Sequence, residues 1–183
     1  MAILKDFLER MPAKKLKMMV IVAFLLSVII YSVMAYFFVI SGDPVNTMES
    51  QLSFSYMFLR SEFERIPRLD AYKIAQGLDY GFMISYGLLI FSLALIMGRK
   101  FPDDSNIRNQ SYFFSVSGPI AACADAIENV FIFLTVADPS GFPAWEAIAM
   151  SIAAAVKWIL IFTTMGWAVA VAVYYFFVLK RKK

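Results

Sequence analysis

Two carboxylates and an amide stand at Asp125, Glu128 and Asn129, and these offsets of three and four place all of them on one face of a helix. Paired acids at that spacing can hold a proton, ligate a cation, or serve as general acid and base. Lys157 is the natural counter-ion, with Ala153 one turn before it and Thr164 two turns beyond on the same face. Asp79 adds a third acid. The chain contains no His, which removes the commonest metal ligand and the side chain that most readily switches charge near neutral pH. Haem ligation, zinc catalysis and His-based acid chemistry are therefore not expected, and no metal or cofactor is implied. Cys123 is the single cysteine, so no intramolecular disulfide can form. Beside Asp125 it reads as a small packing residue, since no cation adjoins it to activate a thiolate.

The elements that must carry these groups are long and apolar. Of 183 residues, 61% are hydrophobic and 17% charged, whereas a soluble domain runs at about 45–50% and roughly 25%. With a mean hydropathy of +0.68, a chain this short cannot hide its apolar surface in a soluble core. Four runs, at about 18–40, 79–98, 112–137 and 147–178, approach or exceed the roughly 20 residues that span a hydrocarbon core. The first is too long for the apolar part of a signal peptide, about 7–15 residues, and lacks a small-residue cleavage pattern, so it reads as a retained span. Aromatic residues gather near the ends of the runs, among them Tyr36, Tyr80, Tyr112, Trp145 and Tyr174, as interfacial anchors would. The expected fold is all-α: one membrane domain over 1–183, a four-helix transmembrane bundle with an amphipathic outer-loop helix.

Orientation follows from Lys and Arg. Five precede the first span, three lie between the second and third, and four follow the last. Four lie between the first and second spans, and none between the third and fourth. The positive-inside rule then places both termini in the cytoplasm, with the terminal Lys180-Arg181-Lys182-Lys183 as a charge anchor. In the outer loop, Asp43-Pro44 suits a helix or turn start. Over about 47–67, Leu52, Tyr56, Leu59, Phe63 and Ile66 form one helical face, and Arg60 and Glu64 are placed for an i, i+4 pair. Pro67 ends this segment, and Asp70 is expected to cap the helix leading into the second span. Gly77, Gly81 and Ser85 recur every four residues as a close-packing strip, and Gly118, Ala121 and Ala122 continue the acid face with small residues.

An ionised group deep in a span costs about 2.5–3.5 kcal/mol on insertion scales, so it needs partners or water. Asp79, Asp125, Glu128, Asn129 and Lys157 are expected to converge in the outer half of the bundle. Three carboxylates against one ammonium leave two negative charges. Protons, a bound cation, a cationic head group, or Arg68 or Lys73 dipping from the outer loop could balance them. The bland alternative is a hydrogen-bonded ion pair that only fixes helix register, although such pairs stabilise less than apolar packing does.

Leu78-Asp79 with Tyr86-Gly87, Ala124-Asp125 with Glu128-Asn129, and Lys157-Trp158 together resemble a pattern in small prokaryotic four-span membrane proteins of uncharacterised function. That resemblance covers about the last hundred residues; it implies the same fold and polar cluster, and no activity. Small multidrug transporters are shorter and keep their intramembrane acid in the first span, where this chain has none. Three functions fit. The first is a site for a proton, cation or polar ligand used in transport; the second is a non-catalytic scaffold or complex subunit. The third is an enzyme acting on a lipid or isoprenoid through paired carboxylates. Expected partners are membrane lipid and a homo-oligomeric copy or a partner membrane subunit, with no nucleic acid.

Overall fold

The computed structural model describes residues 2–42 and 47–179. The expectations placed on Asp43-Pro44 and on the basic stretch 180–183 lie outside the described residues. The described chain is all-helical: α1 (Ala2–Arg10), α2 (Ala13–Ser41), α3 (Thr47–Gln51), α4 (Tyr56–Phe63), α5 (Leu69–Gly98), α6 (Asn106–Thr135) and α7 (Ala144–Tyr174), the last running into a π-helical turn, Tyr175–Leu179. Four of these, α2, α5, α6 and α7, are long and apolar enough to cross a membrane, and together they make a multi-pass helical bundle. Their outward faces carry Ile21, Ile84, Ile127 and Ile159, each about half exposed or more, which is stable only against lipid.

Each span packs on its neighbour in sequence: α2 on α5, α5 on α6, and α6 on α7. Matched contacts show the antiparallel register. Between α2 and α5, Ser27 Oγ donates to Ser85 Oγ at 2.9 Å, and further along Phe38 meets Tyr72 edge-on. Between α5 and α6 the backbones approach at glycines: a Cβ on Gly118 would collide with the Gly87 carbonyl, and one on Gly98 with the Ser111 side chain. Between α6 and α7, Ser117 and Thr164 hydroxyls lie 2.6 Å apart and Phe114 stacks on Trp167. Small residues thus let three helices close on one another where apolar attraction gives no advantage over lipid. The expected strip on α5 is corrected at Gly77, which is exposed and where a Cβ would meet nothing within 4 Å; Gly81 faces Ile30 and Ser85 is buried.

The segment between α2 and α5 folds as two short helices rather than one continuous helix. Phe54 breaks it in the left-handed region (φ 51°), and Ser55 starts α4 by accepting from Phe58 N at 3.2 Å. The apolar face seats Leu59, Phe63 and Ile66 in a cluster with Tyr72, Ile132, Phe142 and Met150. Arg60 Nε donates to Glu64 Oε1 at 3.0 Å on the exposed side of the segment. Asp70 does not cap α5: Arg68 occupies the cap position without a side-chain bond, and Asp70 lies exposed in the first turn. Its carboxylate there suits the positive end of the helix dipole.

At the opposite end of the bundle, α1 folds back onto the spans. Leu8 is buried with Leu16, Leu95 and Tyr112. The Arg99 guanidinium donates to the carbonyls of Leu8 at 2.7 Å and Met11 at 2.6 Å, satisfying acceptors that a helix C-terminus leaves open. Burial, together with the nearby Arg108, pulls the Arg99 pKa below the ordinary arginine value.

Candidate functional site

Three spans bring the polar residues together because α5, α6 and α7 turn their small-residue faces toward one another. On α6, Asp125, Glu128 and Asn129 are all buried, and Lys157 on α7 is 4% exposed in the midst of a membrane-spanning helix. Lys157 Nζ donates to Asp125 Oδ1 at 2.9 Å and lies 2.5 Å from Glu128 Oε2. The Asp125 carboxylate is completed by Tyr86 on α5, whose hydroxyl donates to Oδ2 at 2.8 Å. One helical turn further along α6, Asn129 Nδ2 donates to Asp79 Oδ2 at 2.7 Å. Asp79 and Tyr86 are seven residues apart, two turns on one face of α5. They therefore meet α6 at Asn129 and Asp125 in antiparallel order.

The carboxylates are not equivalent. Asp125 has both oxygens engaged, one by an ammonium and one by a phenol. Glu128 is fully buried; its Oε2 is paired with Lys157, and its Oε1 has no hydrogen-bond partner among the described residues. Such an atom forfeits the hydration it would have in water; a donor arriving there would restore the missing bond, and a proton would remove the buried charge. Among the described residues, no three acidic, His or Cys side chains stand close enough together to hold a metal ion. The charge imbalance expected from the sequence falls on a site where one carboxylate oxygen is unpartnered among the described residues.

No protein-family model, curated protein or solved structure matches this chain. The function must be read from the site itself.

The five residues singled out by type and spacing do stand together: Asp125, Glu128 and Lys157 in direct contact, with Asp79 joined to the group through Asn129. Two expected contributors do not reach it. Arg68 lies on the surface 3.9 Å from Asp70, and Lys73 is exposed. The segment between α2 and α5 sends in Gln51 instead, whose Oε1 accepts from Lys157 Nζ at 3.3 Å and Trp158 Nε1 at 2.9 Å. Cys123 points outward, exposed, and is not a packing residue of the bundle. Its position two residues before Asp125 turns it about 200° away from the acid face.

Sequence reasoning missed Tyr86, Gln51 and Glu146. Tyr86 carried one usable signal, its seven-residue spacing from Asp79. Glu146, in the first turn of α7, is 8% exposed with Oε2 unpartnered. It stands where a capping-box Glu would reach back to the N-cap N–H, but that residue is Pro143, which has none.

Proposed function

We propose that this multi-pass membrane protein binds and releases a proton at Glu128, and that the exchange serves transport across the membrane. The observation that carries the reading is the unpartnered Oε1 of a fully buried glutamate in a cluster of three carboxylates and one ammonium. Intramembrane ionisable groups are rare because they are costly, and proton relays are among the uses for which they are kept. Lys157 gives the exchange a second state: when Glu128 is neutral, the ammonium is held by Asp125 and Gln51 alone. The Lys and Arg distribution supports both termini on the cytoplasmic side, which puts the α3–α4 segment and the acid cluster toward the outer face.

The test is proton flux in proteoliposomes under a potassium diffusion potential, read by a pH-sensitive dye inside the vesicles. Wild-type protein should carry protons faster than protein-free vesicles, and Glu128→Gln should fall to the protein-free rate. Equal flux through wild type and Glu128→Gln would reject the reading.

A second reading is favoured by the full engagement of Asp125 and Lys157: the cluster braces α6 against α5 and α7, and the protein is a scaffold. It requires Glu128→Gln to leave every pH-dependent property unchanged.

A further inference from the structure

Gln51 belongs to the short helix α3, yet its side-chain oxygen reaches deep enough to meet span four. Lys157 Nζ and Trp158 Nε1 both donate to that one atom, at 3.3 and 2.9 Å. Neighbouring residues on a helix point about 100° apart, so two donors from consecutive positions converging on one oxygen form a cradle. The Lys157 ammonium lies 5.3 Å from the centroid of the Trp158 ring, which holds the two donors against each other.

The chemistry of the acceptor follows from charge. Lys157 is already matched by Asp125 and Glu128, so a third anion would be repelled by two carboxylates across the same ammonium. An uncharged carbonyl oxygen meets no such repulsion, and the Gln51 amide supplies one. The surroundings define the rest of the ligand. Trp158 is only partly buried, and the same helix exposes Ile152, Val156 and Ile159. A molecule arriving there must be apolar on one side and carry a carbonyl on the other. The apolar anchor of the α3–α4 segment, Leu59, Phe63 and Ile66, lies beyond the break at Phe54. A displacement of α3 would therefore leave that anchor in place.

We propose that Lys157 and Trp158 form a recognition site for the uncharged carbonyl oxygen of a membrane amphiphile, an ester or an amide, and that Gln51 occupies it as a displaceable plug. This goes beyond the proton reading, and its test does not involve Glu128.

Full-length protein in detergent is titrated with three probes, and bound copies are counted by native mass spectrometry. Two are phosphatidylcholines of equal headgroup and chain length, one ester-linked and one ether-linked; the third is an N-alkyl acetamide. Gln51→Ala, and Gln51→Met as a volume-preserving check, should bind the carbonyl-bearing probes about tenfold more tightly than the ether lipid, the upper range for one neutral hydrogen bond, here the short one from Trp158 Nε1. Wild type should show no preference, and Trp158→Phe added to Gln51→Ala should abolish it. A preference for the ester lipid alone assigns the site to lipid esters, and one for the acetamide alone to amides. Equal retention of ester, ether and amide probes by both Gln51 variants would overturn the proposal and leave Gln51 a tether. So would a preference that survives loss of the Trp158 indole.

Discussion

Glu128 offers one carboxylate oxygen to the Lys157 ammonium at 2.5 Å and leaves the other, fully buried, without a hydrogen-bond partner among the described residues. Asp125, three residues earlier on the same helix face, has both of its oxygens occupied, by Lys157 and by Tyr86. The same ammonium thus serves a saturated acid and an unsaturated one, and the proposed proton exchange at Glu128 rests on this asymmetry.

Removing the ammonium should therefore cost stability. Lys157→Met leaves Asp125 and Glu128 facing each other with no cation, and breaking a buried pair in this way costs about 3–5 kcal/mol. Denaturant titration of the helical signal in detergent measures it; an unchanged midpoint would contradict the pairing.

The Tyr86 hydroxyl should matter less, and only through Asp125. Tyr86→Phe should cost about 1.5–3 kcal/mol, the range for a hydrogen bond to a charged group. In a double-mutant cycle with Asp125→Asn, the two changes should couple rather than add. Additive effects would show that the contact contributes nothing of its own.

Glycines on α5 and α6 should divide by what their Cβ would meet. Gly118→Ala drives a methyl into the Gly87 carbonyl and Ile90, and overpacking of this kind costs about 1–3 kcal/mol. Gly77→Ala, with nothing within 4 Å, should be neutral or stabilising. Thermal unfolding of the two variants side by side decides it.

Arg99→Gln should release α1. Its guanidinium holds the carbonyls of Leu8, Glu9 and Met11, so their loss should increase amide hydrogen exchange over Ala2–Arg10 while α5 and α6 stay protected. Unchanged exchange in α1 would mean that Leu8 and the Tyr112–Glu9 hydrogen bond hold the helix without Arg99.

The four spans were legible because length and hydropathy act over twenty residues at a time, and lipid enforces them. The grouping of Asp125, Glu128, Asn129 and Lys157 was legible for a related reason: charge inside an apolar run must turn inward, and helical spacing says which charges turn together. What stayed hidden depends on contacts far apart in the chain. Gln51 and Lys157 are 106 residues apart, and nothing local marks Gln51 above its polar neighbours. Arg68 and Lys73 carried the more obvious charge, yet both remain at the surface. The break at Phe54 escaped the apolar periodicity because Leu52, Tyr56 and Leu59 keep helical spacing across a backbone that is not helical there. Helix α1 was hidden because its charges counted only toward orientation, while the contacts that dock it, Leu8 in its apolar cluster and the Arg99 bonds to its carbonyls, reach across about ninety residues of chain.

The central claim is that Glu128 carries an exchangeable proton. Infrared difference spectroscopy of the purified protein between acidic and alkaline buffer reads the C=O stretch of protonated carboxyl groups directly. The account predicts a pH-dependent band that shifts in deuterated buffer and is missing from Glu128→Gln but retained in Glu146→Gln. Identical difference spectra for wild type and Glu128→Gln would contradict it.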